Sequence, residues 1–236
     1  MQALAQEAAR LFDIRLSARQ VAQMQRHADE LALWNRRVNL TAITDPQEVL
    51  VRHFLDSLSV AAFVPLRAGM QVMDVGTGAG FPGLPLHVLC PGTRLTLLDA
   101  TAKKLRFLDH LIDLLELKGV RTRHARAEQA GQMPAERECH DLVLARTVAR
   151  MPVLAEYMLP LTRVGGQCVA MKGGSARQEV QAARRAIGLL GGRLNRIETL
   201  QLPGVAQSHH LVILDKVAPT PAIWPRQPGT PARRPL

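Results

Sequence analysis

The chain has 236 residues, 47% of them hydrophobic and only 3% aromatic, and its 30 Lys and Arg outweigh 20 Asp and Glu to give a formal charge of +10. Mean hydropathy near zero excludes a disordered chain, and no apolar run approaches the roughly 20 residues that a membrane span needs. The start, MQALAQEAARLF, lacks the basic segment and long apolar run of a secretory leader, so no membrane partner and a cytoplasmic location are expected.

The first 64 residues read as helices. Ser17-Ala-Arg-Gln20 has the form of a capping box, and Val21, Met24, Ala28, Leu31 and Leu33-Trp34 follow at helical spacing. WNRRVNLTAIT, with Asn39 and Thr41, reads as a loop. A second helix starts at Asp45, with Pro46 in its first turn and Glu48 three residues after the cap, and continues as VLVRHFLDSLSVAAFV. Residues 1–64 are therefore expected to form an N-terminal helical cap.

From Met70 the rhythm changes to short apolar runs at 70–75, 94–99, 120–125, 141–146 and 166–172. Amphipathic segments lie between them. The clearest is 101–117, with Leu105, Leu108, Ile112 and Leu115 on one face and Gly119 as its expected stop. After a helix at 175–190, GGRLNRIETLQL and SHHLVILDKV follow without an intervening helix and should pair antiparallel. The expected fold is α/β: a mostly parallel, seven-stranded, Rossmann-like sheet ending in a hairpin over residues 65–217.

Residues 163–236 hold 11 Lys and Arg against 3 Asp and Glu, whereas residues 1–162 hold 19 against 17. The basic third closes with PTPAIWPRQPGTPARRPL, a proline-rich tail over 218–236 expected to lie extended, with Arg226, Arg233 and Arg234 available to a polyanion. Cys90, Cys139 and Cys168 show no CxxC spacing, and His209 and His210 would point to opposite faces of a strand, so neither a disulfide framework nor a metal is expected. Nothing in the sequence sets an oligomeric state, and a monomer is the expectation.

The chemistry concentrates in DVGTGAGFPGLPL. Gly76, Gly78 and Gly80 follow the first strand and precede a helix, the context in which a ligand approaches backbone closely. No Gly-x-x-x-x-Gly-Lys-Ser/Thr is present, and the third glycine comes one position too early for a dinucleotide loop, which argues against an NAD-dependent oxidoreductase. Asp74 beside the loop is awkward for a pyrophosphate and welcome for a cation. S-adenosylmethionine is cationic and has no phosphate. Asp99, at the end of the second strand, provides an acceptor for ribose hydroxyls, and Ala127-Glu128 after the third strand can border an adenine. Loop, Asp99 and strand rhythm together indicate a methyltransferase.

WNRRVNLTAIT, VRHFLDSL, MDVGTGAGFPGLPL, LLDATAKKLRFL, ARTVAR, MKGG and the tail resemble the glucose-inhibited division protein B family, bacterial 16S ribosomal RNA guanine-N7 methyltransferases, from about residue 30 to the end. The resemblance implies the class I S-adenosylmethionine-dependent fold, a small-subunit rRNA or precursor substrate, and cofactor contacts from Gly76, Phe81, Ala127, Glu128 and Arg146. Ala145-Arg146-Thr147-Val148 stands where exocyclic-amine methyltransferases carry an Asn/Asp-Pro-Pro-Tyr loop, and no cysteine lies there for attack on a pyrimidine. Guanine N7 has a free lone pair and needs no base. Arg146 and Lys172 are then positioning residues rather than proton carriers, and Arg52 and Arg150 join the tail arginines as RNA contacts. His53 reads as structural. The alternative is a ribosome-assembly factor that keeps the fold and binds RNA without catalysis.

Overall fold

A computed structural model describes all 236 residues. Helix α1 (Gln2–Phe12) is followed by α2 (Ala18–Val38), which starts at Ser17 by the expected reciprocal bonds with Gln20. Trp34–Val38, read as loop from the sequence, instead complete α2, because Trp34 and Val38 continue its apolar face and Trp34 packs against Phe107. The loop proper begins at Asn39 (φ 54) and folds back on Asn35, whose Oδ1 accepts from Leu40 N and Thr41 N. Asp45 caps α3 (Pro46–Val49), which runs through a π-helical turn (Leu50–Leu55) into α4 (Asp56–Phe63).

The sheet has the order β3-β2-β1-β4-β5-β7-β6. Strands β1 (Gln71–Val75), β2 (Arg94–Asp99), β3 (Val120–His124), β4 (His140–Arg146) and β5 (Thr162–Lys172) run parallel. The last two, β6 (Gly192–Leu200) and β7 (His209–Lys216), form the antiparallel hairpin, with β7 inserted beside β5. Helices α5 (Gly83–Leu89) and α6 (Ala102–Leu114) share one apolar core with the N-terminal helices, built on Phe54, Leu58, Leu97, Phe107 and Leu144. The first 64 residues are thus a layer of the sheet domain. The other face packs Met73, Val143 and Cys168 against α8 (Met151–Met158) and α9 (Ala176–Leu189), with the short α7 (Ala127–Ala130) at its edge.

Two further expectations are corrected. Gly119 does not stop α6: Glu116 takes the left-handed conformation (φ 50), Leu117 N bonds to Ile112 O, and Gly119 turns the chain into β3. The tail is not a loose extended segment. It folds back and forms a helical turn, α10 (Thr230–Arg233), where Pro231 sits in the first turn and forfeits no helical hydrogen bond. Arg137 donates to the carbonyls of Thr220 and Trp224, Glu138 accepts from Thr220 N, and Glu156 accepts from Arg226 N. No helix is long and apolar enough to cross a membrane.

Candidate active site

The chain winds outward from β1 to β3 and then returns to place β4 on the other side of β1. That reversal opens a crevice at the carboxyl ends of β1 and β4. A cleft of about 350 Å³ lies there, lined by the glycine loop, Phe81, Asp99, Lys104, Arg146 to Val148, and by Thr41 and His53 from the N-terminal helices.

The loop is held from below. Asp74, fully buried, accepts at Oδ2 from Thr77 Oγ1 (2.7 Å) and Gly83 N (2.9 Å). Burial raises its pKa to about 6, against the lowering effect of those two bonds. A Cβ on Gly83 would stand 2.9 Å from that oxygen, so only glycine lets α5 start this close to the carboxylate. A Cβ on Gly76 (φ +67) would meet Val148 at 2.7 Å, so the loop backbone lies directly against the loop after β4. From above, His27 of α2 bonds to Ala79 O (2.9 Å) and stacks on Phe81 at 4.7 Å. Burial holds the His27 pKa down at about 4, so it is neutral and Nε2–H is the donor.

Asp99 accepts from Gly78 N at Oδ2 (3.0 Å) and from Thr101 N at Oδ1 (2.8 Å). A carboxylate has about four lone-pair sites. Two are therefore without a hydrogen bond from the protein, and Lys104 Nζ stands 4.0 Å from Oδ2. Arg146 is anchored through three of its five donors. Nη1 donates to Arg52 O (2.7 Å) and Asp56 Oδ2 (3.3 Å), Nη2 to His53 Nδ1 (3.1 Å), and the guanidinium lies 5.3 Å from the Phe81 ring centre. Burial and the Arg146 charge lower the His53 pKa to about 4. The neutral ring that accepts at Nδ1 must carry its proton on Nε2, which then donates to Thr41 Oγ1 (2.9 Å). Arg52 O lies in the π-helical turn, where the shifted bonding leaves a carbonyl for a partner outside the helix.

The family model GidB, described as rRNA small subunit methyltransferase G, matches residues 20–212. The chain belongs to the rRNA small subunit methyltransferase G family. Ribosomal RNA small subunit methyltransferase G of Roseiflexus sp. (strain RS-1) is 49% identical over 228 residues, 97% of each chain. That of Staphylococcus carnosus (strain TM300) is 42% identical over 225 residues, 95% of this chain and 94% of the relative. The fold alone is shared with precorrin-6y C5,15-methyltransferase of Geobacter metallireducens GS-15, with TM-score 0.52, 12% identity, and 68% and 87% of the two chains covered. It is likewise shared with YcgJ of Bacillus subtilis, with TM-score 0.55, 13% identity, and 70% and 100% covered. This is the class I S-adenosylmethionine-dependent methyltransferase fold.

Within this rRNA small subunit methyltransferase G framework, Gly76, Gly78, Phe81, Asp99 and Arg146 come together at the cleft. Asp74 and Gly80 do not line it: Asp74 anchors the loop, and Gly80 (φ +92) faces Leu84 and Leu108. Ala127 and Glu128 also lie outside the lining, and Glu128 Oε1 accepts from Gly229 N of the tail at 2.8 Å. Lys172 points away, into a pair with Glu179 (2.7 Å) and a bond to Ala149 O. Arg226 is engaged within the fold: its guanidinium grips the buried Glu156 at 2.6 Å and packs on Trp224. Arg52 is half-exposed and pairs loosely with Glu48, while Arg150, Arg233 and Arg234 are exposed. Thr41, Lys104 and Val148 were missed as site residues, although Thr41 and Val148 lie in WNRRVNLTAIT and ARTVAR.

Proposed function

We propose that this protein transfers a methyl group from S-adenosylmethionine to N7 of a guanine in small-subunit ribosomal RNA, in the cytoplasm where ribosomes assemble. The observation that carries this reading is the state of the polar groups at the Arg146 end of the cleft. Both His53 nitrogens are engaged, and both Asp56 oxygens are taken, by Arg146 and by His209 (3.0 Å). His53 and Asp56 are thereby held in fixed hydrogen bonds around Arg146, the arrangement expected where side chains position a substrate rather than relay a proton. Guanine N7 suits such a site, since its lone pair attacks directly and no proton leaves.

The donor set fits the cofactor. Gly76 and Gly78 bring backbone to the cleft, Asp99 lines it with two acceptor sites left for ribose hydroxyls, and Phe81 walls it. S-adenosylmethionine supplies an electrophilic methyl on a sulfonium, and the positive charge lost from sulfur appears on the methylated base. The residues around it hold the two partners in line, a positioning role that accounts for large rate effects without acid or base. A pyrimidine-carbon mechanism lacks its thiol: Cys168 is fully buried with its pKa pushed up to about 12, and Cys139 precedes β4 at the opposite edge.

The test is to incubate the protein with methyl-labelled cofactor and small subunits from cells that lack the enzyme, then map the label. Label on N7 of one guanine is expected. Label on an exocyclic amine, a pyrimidine or a ribosomal protein would overturn the assignment.

A further inference from the structure

A second cleft, of about 660 Å³ and mainly apolar, opens beside the first. Val148, whose side chain packs over Gly76, lines both, so the two clefts adjoin at that residue. Val153 and the half-buried Tyr157 of α8, Ala182 of α9, and Pro235 of the tail form its walls. Tyr157 is the chain's single tyrosine, and its ring stands in a wall that offers few hydrogen-bonding groups.

The rim has the opposite character. Arg150 lines the cleft, Arg233 and Arg234 lie between its lining residues Ala232 and Pro235, and Arg185 is exposed one turn past Ala182. None of these four arginines takes part in an ion pair, although most acidic groups of the chain are paired. Arg137 and Arg226, by contrast, are occupied in fastening the tail that forms one wall. An apolar floor with unpaired cations at its edge is complementary to a nucleotide: a flat base with low need for edge bonds, and a phosphate on each side.

We propose that this cleft is a nucleobase subsite, which receives an unpaired base of the RNA adjacent to the target guanine while Arg150, Arg233 and Arg234 hold the flanking phosphates. The inference rests on the RNA-methyltransferase reading and extends it. Recognition is by stacking and burial, so the subsite positions the strand without reading a base edge. It also gives the folded tail a role: its last residues complete the wall.

The test uses Ala182, which is exposed on α9 and outside the cofactor cleft. Ala182→Glu places a carboxylate in the subsite, and Gln181→Glu places the same charge on the same helical turn outside it. Methyl transfer to unmodified small subunits gives KM, and calorimetry gives the Kd for S-adenosylmethionine. A182E should raise KM for subunits about tenfold, the scale of one lost stacked base, and Q181E less than about threefold. The cofactor Kd should stay within about twofold of wild type in both. A182E with unaltered KM, Q181E equal to A182E, or a matching rise in cofactor Kd would overturn the subsite. A wild-type protein that binds the cofactor and methylates no subunit would instead overturn the parent reading, and this one with it.

Discussion

The two ends of the chain are held to the sheet domain by opposite means. At the N-terminal end, the helices press Phe54, Leu58 and Phe107 into a continuous apolar core, and their polar commitments to the site are His27, Thr41, the Arg52 carbonyl, His53 and Asp56. At the C-terminal end, the last 19 residues are tied down by polar bonds: Glu156 pairs with Arg226, Glu128 and Glu138 accept from the backbone N–H groups of Gly229 and Thr220, and Arg137 donates to the carbonyls of Thr220, Pro221 and Trp224. A helix can bury a stripe of side chains. A proline-rich segment without regular structure leaves backbone N–H and C=O groups unpaired, so it is fastened through both. The N-terminal helices therefore set stability and the shape of the glycine loop, and the tail sets what the rim of the site presents to RNA.

This contrast can be broken in four ways. Phe54→Ala should cost the most, about 4 kcal/mol by denaturant unfolding, because a fully buried aromatic leaves a cavity. Acid should come next. His27, His53 and His87 are each lowered to about 4 from 6.5, mainly by burial, so the unfolded chain binds their protons first and stability falls as pH drops from 6.5 toward 4. Asp74, raised to about 6, works in the opposite sense and returns part of the loss. The net effect between pH 7 and 5 is about 4 kcal/mol, read by thermal melts across that range. Glu156→Ala, which strands Arg226, should cost about 2 kcal/mol and expose the tail to limited proteolysis while α1 to α4 stay protected. Arg234→Ala should change stability by less than about 0.5 kcal/mol yet reduce the salt slope of subunit binding by about one. Equal stability losses in the Phe54 and Arg234 variants would remove the distinction between the two ends of the chain.

The same division marks what the sequence made legible. Strand positions, the hairpin, the capping box at Ser17 and the Asp45 cap all follow from local periodicity and local bonds, and β2 spans Arg94–Asp99 as expected. The cations were the blind spot. Lys172 and Arg226 read as free because Glu179 and Glu156 reach them only through the tertiary fold, and the latter pair is 70 residues apart. Asp74 read as facing a ligand, since nothing local reveals that Thr77 and Gly83 curl back over it. Thr41 and His53 reach the cleft through a loop and a π-helical turn, neither of which leaves a hydrophobic period to follow.

The central claim, that the cleft positions its substrates and moves no proton, is tested most directly by the pH dependence of single-turnover methyl transfer with both substrates bound. The prediction is a rate constant that changes by less than about twofold between pH 6.5 and 8.5, a window that begins above the pKa values of about 4 for His53 and about 6 for Asp74. A rate that climbs about tenfold per pH unit and then levels within that window would reveal a general base and contradict the account.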